Sequence, residues 1–268
     1  MNDFKNTVWD YYHDNQRSLP WRKSEADGTF NAYKIMVSEI MLQQTQANRV
    51  IEKYVQFLKV YPDIGTLAGA TLEEVFNLWQ GLGYNRRAKF LRDAAKLVIS
   101  DFQSEMPRSV SDLVKLPGVG HNTACAIAVY SYNQPLVFIE TNIRTVYLHH
   151  FFEGKEDVAD AAILELVAQT VDNENPREWY WALMDYGTYL KKAHGNANVR
   201  SRHYAKQSRF EGSARQIRGE VLRQLQQAPQ TLDELNVTIP DSRLASVLDG
   251  LLKDQLIRQT HGKYMIAL

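Results

Sequence analysis

The chain has 268 residues, and 31 Lys and Arg balance 31 Asp and Glu, so its formal net charge at pH 7 is zero. That balance argues against holding nucleic acid by bulk charge, although a local basic surface would vanish in the sum. A hydrophobic content of 44% and a charged content of 23% match an ordinary globular protein, and no apolar run approaches the roughly 20 residues of a membrane span. A single cysteine, Cys125, excludes an internal disulfide, and alone it supports neither a four-thiolate cluster nor a structural zinc.

Met1 to Asp10 lacks the basic-then-apolar pattern of a secretory signal, so a cytoplasmic location is expected. Apolar residues then recur at three- and four-residue spacing over Tyr33 to Tyr61, Thr71 to Leu78, Ala88 to Phe102, Ser111 to Leu116, Asn122 to Tyr132, Asn142 to Phe152, Ala159 to Val171 and Trp179 to Leu190, predicting helices. Pro62, Gly81, Gly83, Pro107, Pro117, Pro135, Pro176 and Gly195 fall where helix ends are expected. The first 210 residues therefore read as all-α. Between Lys191 and Arg218 eight Lys or Arg face one acidic residue, Glu211, which is either a solvated linker or a phosphate-contacting surface. Beyond it, helices are expected over Ser213 to Gln227, Leu232 to Leu235 and Ser242 to Leu252. A β-ribbon of Leu256 to Gln259 and Tyr264 to Leu268 follows, turning at His261-Gly262-Lys263. This pattern suggests a winged-helix-like module over 213–268. Its third helix carries Arg243 and Lys253 but also Asp249, with Asp254 close behind, which favours packing or a partner over groove reading.

Chemistry concentrates at three places. Leu116-Pro117-Gly118-Val119-Gly120-His121-Asn122 reads as helix, glycine turn and second helix. Such a hairpin can bring backbone N–H groups and a helix N-terminus against a DNA phosphate, or it can be an ordinary helix hairpin. Twenty residues past Gly120, an apolar run delivers Glu140 to the start of a helix, where the helix dipole should keep its carboxylate ionised and its pKa low. Glu39 lies on a helix among Ile35, Met36 and Leu42, where burial should raise its pKa and suit it to general acid work. One carboxyl protonating a leaving group while another steadies an oxocarbenium-like sugar is the logic of glycosidic cleavage.

With Leu19-Pro20-Trp21-Arg22, Val37-Ser38-Glu39, Met41-Leu42-Gln43-Gln44-Thr45-Gln46, Leu78-Trp79-Gln80-Gly81-Leu82-Gly83-Tyr84 and Ala182-Leu183-Met184-Asp185, the sequence resembles the adenine-DNA glycosylases of MutY type. These belong to the helix-hairpin-helix glycosylases that include endonuclease III, and the resemblance spans roughly residues 15 to 190. It implies a two-lobed helix-hairpin-helix domain over 1–212, with a helical barrel at about 25–140 and a second lobe from the N-terminal segment plus about 141–212. It implies that Glu39 protonates the base and that Glu140, helped by Asn142, stabilises the cation. Arg17, Trp21 and Arg22 match pocket-lining positions. Gln44 and Tyr84 match side chains that wedge into the stacked duplex, and Gln43, Thr45, Arg86 and the Leu116 to Asn122 hairpin are placed on the DNA. Asn122 occupies the position of the lysine in strand-nicking relatives, so no β-lyase step is expected.

Three departures qualify the resemblance. The stretch Tyr189-Leu190-Lys191-Lys192-Ala193-His194 holds no cluster cysteine, so no iron-sulfur cofactor and no metal are expected; His194 and His203 read as phosphate or surface groups. Glu140 replaces the family's Asp. Trp181 stands in the base pocket where the family often has Glu or Gln, and no 8-oxoguanine-reading domain is recognisable. The expected protein is a monomeric, nucleoid-associated, monofunctional glycosylase of base excision repair. It would act on duplex DNA, away from membranes, removing adenine opposite 8-oxoguanine or guanine. Excision of thymine or uracil paired with guanine, or of another damaged base, remains an alternative, as does a non-catalytic DNA-binding protein.

Overall fold

The computed structural model describes residues 1–207 and 209–267, so the expected last strand residue, Leu268, lies outside the described residues. In chain order the helices are α1 (Asn2–Asn15), α2 (Ala32–Leu42), α3 (Ala47–Val60), α4 (Ile64–Ala68), α5 (Leu72–Trp79), α6 (Arg86–Asp101), α7 (Val110–Leu113), α8 (His121–Tyr132), α9 (Thr141–Phe151), α10 (Asp160–Thr170), α11 (Pro176–His194), α12 (Ala214–Leu225), α13 (Leu232–Thr238) and α14 (Leu244–Lys253). The strands are β1 (Gln230–Thr231), β2 (Ile257–Thr260) and β3 (Lys263–Ile266). Two compact units form, one from residues 1–39, 108–115 and 119–206, the other from 40–107, 116–118 and the chain from 207 onward. No helix among the described residues is long and apolar enough to cross a membrane.

In the first unit α8 is the central helix, because its residues from Ala124 to Ser131 are all buried. A helix buried on every side needs small residues, and Ala124, Cys125, Ala126 and Ala128 supply them. Asn133 ends it in a left-handed conformation at φ 55°, and Arg177 donates from Nε to Tyr130 O (2.6 Å) and from Nη2 to Ser131 O (3.2 Å), satisfying carbonyls the helix leaves open. Helix α11 opens with Pro176, whose missing N–H costs nothing at that position. It packs on α9 through Gly187, where an added Cβ would stand 2.2 Å from the backbone oxygen of Asn142. Helix α1, which the periodicity reading leaves unassigned, lays Phe4, Val8 and Tyr12 inward at four-residue spacing, with Phe4 against Trp179 and Tyr147.

In the second unit the expected continuous helix from Tyr33 to Tyr61 is broken at residues 43–46. Gln44 adopts φ 56° there, and the carbonyls that end α2 bond to a side chain instead of the next helical turn. Capping boxes start α4 (Asp63 with Thr66), α5 (Thr71 with Glu74) and α13 (Thr231 with Glu234). The expected C-terminal helices and ribbon are present. Helices α12 and α14 pack around Ile217, Val221, Leu244, Leu248 and Leu251, beside an antiparallel sheet of order β1-β3-β2 in which Ile257 faces Ile266. Helix α12 is fastened within this unit by Arg218 to Asp254 (2.6 Å) and by Gln226 to Asn77 (3.0 Å).

Candidate active site

Both carboxylates lie in the first unit. Glu39 ends the first unit's share of α2, a helix whose Ile35, Met36, Val37, Ser38, Ile40 and Met41 are all buried, so it is a polar group on an otherwise sealed face. Glu140 is delivered by the run Leu136 to Ile139. Tyr180 holds that run by donating to Leu136 O (2.7 Å), accepting from Phe138 N (3.4 Å) and stacking on the Phe138 ring (4.3 Å). Glu140 caps α9 through its backbone oxygen, which accepts from Arg144 N (2.8 Å), and its side chain makes no cap bond. The carboxyl is thereby left for chemistry.

Burial raises the pKa of Glu39 well above the usual carboxylate value; the adjacent Glu140 charge raises it further and Arg22 pulls it down. For Glu140 the expectation of a low pKa is corrected: burial pushes it up to about 7, and its carboxylate makes no bond to the open N–H groups of the helix. Both residues are intermediate in exposure, so neither carboxyl is fully sealed from solvent. Each carboxyl therefore keeps its proton to a higher pH than a free carboxylic acid does, Glu140 to about 7.

Around the pair stands an aromatic and cationic wall. Asp185, with only 1% of its side chain exposed, accepts from Arg17 N (2.9 Å), Arg17 Nε (2.6 Å), Arg22 Nη1 (2.8 Å) and Arg22 Nη2 (2.7 Å). Arg17 and Arg22 are thus committed to a buried acid. The Arg22 guanidinium also lies 5.4 Å from the Trp181 ring centre, and Trp181 stacks on Tyr130 at 6.0 Å and 17°. Tyr130, which the sequence reading missed, has its phenol raised far above normal by burial and then by Glu39 and Glu140. Its only sequence signal is a bulky polar-tipped residue late in an alanine-rich helix. Trp21 is buried in the turn that leads to Arg22. Asn142 lies in the first turn of α9, two residues after Glu140, with its backbone against Gly187.

The expected wedge residues lie in the second unit. Gln44 and Tyr84 both adopt left-handed backbones, at φ 56° and φ 48°. Gln43 Nε2 donates to Gly118 O (3.1 Å), and Thr45 Oγ1 donates to Leu82 O (3.3 Å). The Tyr84 hydroxyl accepts from Arg215 Nη1 (2.7 Å) and bonds Gln207. Arg86 reaches Asp254 at 3.2 Å and stays half exposed. Gly118 is required twice over, by φ 78° and because a Cβ would stand 2.8 Å from Cβ of Phe90. In the hairpin Gly120 caps α8, His121 and Asn122 are exposed, and Leu116 and Val119 turn inward, leaving only their backbone for an anion.

The donor set does not fit an iron-sulfur cluster. Cys125 is the one cysteine and is buried in α8, and among the described residues no group of three or more His, Cys, Asp or Glu is placed to hold a metal. Much of the basic segment is spent internally. Arg200 donates to Phe152 O (2.5 Å) and Leu148 O (3.0 Å), Arg202 pairs with Asp157 (2.7 Å), and Arg215 and Arg218 are bonded as described above.

The fold is helical, carries a glycine hairpin ahead of α8, and holds in its first unit two carboxyls of raised pKa. The chain belongs to the HhH-GPD superfamily of base excision DNA repair proteins, whose family model matches residues 37–169. It is 33% identical over 192 residues to the adenine DNA glycosylase of Buchnera aphidicola subsp. Baizongia pistaciae, covering 70% of this chain but only 52% of that protein. It is 31% identical over 278 residues to the adenine DNA glycosylase of Mycolicibacterium smegmatis, covering 96% of this chain and 94% of that one. Among solved structures, a thermostable thymine-DNA glycosylase superposes with a TM-score of 0.61 at 25% identity, covering 69% of this chain and 85% of that one.

Proposed function

We propose that this protein is a monofunctional DNA glycosylase that hydrolyses the N-glycosidic bond of an adenine flipped out from opposite 8-oxoguanine or guanine. The observation that carries the reading is the Glu39 and Glu140 pair, two carboxyls in one buried setting with both pKa values raised. Protonated Glu39 gives its proton to a ring nitrogen of the base, the C1′–N bond breaks with its electrons going to the base, and the sugar becomes cationic. Ionised Glu140, with Asn142 beside it, stabilises that cation until water adds at C1′ and releases a proton. Arg22, fixed by Asp185, tempers the rise in Glu39 so that the proton can leave. Asn122 offers no amine, so the reaction stops at the abasic site.

The working unit in this reading is a monomer on duplex DNA, without iron-sulfur cluster or metal, with the 213–268 segment a winged-helix-like module. A second reading, excision of thymine or uracil opposite guanine, draws on Trp181, which replaces an edge-reading acid or amide with an aromatic face, and on the thymine-DNA glycosylase likeness. Duplexes carrying A·8-oxoG, A·G, T·G, U·G or hypoxanthine, incubated with the protein and then treated with alkali, separate the readings. Cleavage at A·8-oxoG and A·G is expected. Cleavage confined to T·G or U·G would overturn the adenine assignment, and binding without any cleavage would overturn the enzyme.

A further inference from the structure

Arg87 lies in the first turn of α6 and is 7% exposed, yet among the described residues no carboxylate pairs with it. Its Nη1 donates to Ile40 O (2.8 Å), Met41 O (2.8 Å) and Gln43 O (2.6 Å), and its Nη2 to Thr45 Oγ1 (2.9 Å), Leu82 O (3.1 Å) and Gly83 O (3.0 Å). The rings of Trp79 and Tyr84 flank the guanidinium at 5.4 and 5.5 Å, so carbonyl dipoles and aromatic faces carry the desolvated charge. Burial lowers its pKa to about 10, still high enough to remain charged at neutral pH.

The six acceptors come from the end of α2 and from two turns, residues 43–45 and 82–84. Each turn contains one non-glycine residue forced into a left-handed backbone, Gln44 and Tyr84. Such a residue is strained and persists only where its surroundings over-determine it. Only a planar fork can reach both turns at once, since an ammonium has three donors on one atom. We propose that Arg87 is a positioning residue for base extrusion, locking the two turns together so that Gln44 and Tyr84 enter the duplex as one rigid pair. The inference rests on the wedge reading of those two side chains.

The test is a double-mutant cycle on the full chain, combining Arg87→Lys with Gln44→Ala/Tyr84→Ala. Extrusion is followed by 2-aminopurine fluorescence in a duplex with that base at the target position, and excision by single-turnover rate. Arg87→Lys should lower both by about tenfold when the wedges are present, as a buried charged donor loses its acceptors. In the Gln44→Ala/Tyr84→Ala background it should cost less than about twofold, because residues acting as one unit are non-additive. An equal loss in both backgrounds overturns the assignment of Arg87 while leaving the wedges standing. If Gln44→Ala/Tyr84→Ala itself changes nothing, the wedge reading and the inference fail together. Should Arg87→Lys not fold, Thr45→Val removes one acceptor and keeps the arginine, and its smaller loss must vanish in the same background.

Discussion

Replacing Glu140 with Gln separates what the buried carboxyl does for catalysis from what it does to stability. Burial moves Glu140 from 4.5 to about 7 in the folded protein. A carboxyl raised on folding binds its proton more tightly in the folded state. Below pH 4.5 both states are protonated and nothing is lost; as pH rises from there to 7 the unfolded chain ionises first and stability falls; above 7 the full penalty stands. At 1.36 kcal/mol per pH unit the penalty is at most about 3 kcal/mol. Gln carries no such penalty. It leaves a buried amide worth about 1–3 kcal/mol, but that cost is the same at every pH. Urea unfolding at a series of pH values should therefore show the stability of Glu140→Gln relative to the unsubstituted protein improving by about 2.5 kcal/mol between pH 5 and 8. Excision should be lost over the whole range. A stability difference that does not change with pH would refute the burial argument, and retained excision would refute the role.

Four further outcomes bear on the same unit. The single-turnover rate of the unsubstituted protein should climb as pH rises through about 7, where Glu140 ionises, and fall again once Glu39 loses its proton; Glu39→Gln should keep duplex affinity and abolish turnover. Asp185→Asn strands the Arg17 and Arg22 charges around a site with 1% exposure, and should cost about 3–5 kcal/mol by urea unfolding. Gly187→Ala drives a Cβ to within 2.2 Å of Asn142 O, and the forced shift of α9 should cost about 1–3 kcal/mol in the same assay and slow excision.

Local patterns in the sequence revealed what depends on local physics. Helix punctuation, the Gly118 turn, the C-terminal ribbon and the burial of Glu39 follow from residues a few positions apart. Glu140 shows where that ends: its helix N-terminus is visible in the sequence, but the protein packed around it, whose burial raises its pKa, is not. Helix α1 was hidden because Phe4, Val8 and Tyr12 sit among polar residues, and their value appears only against Trp179 and Tyr147. Arg86 and Arg87 look alike in sequence, yet one reaches a surface acid and the other gathers six oxygens in the interior.

The basic segment and the C-terminal module are where charge counting is least informative. Arg200, Arg202, Arg215 and Arg218 are bonded to carbonyls, acids or a phenol, so much of the positive run is structural. In α14 the same holds at its start, where Arg243 pairs with Asp241 (2.7 Å) and donates to Gly212 O (3.0 Å). A groove-reading helix needs cations free to meet phosphates and bases. Asp254, just past α14, instead takes Arg86 and Arg218 together, and Arg215 of α12 takes the hydroxyl of Tyr84. These bonds tie α12 and the end of α14 to α6 and to the turn that carries Tyr84, so the cations they use are not free to meet phosphates.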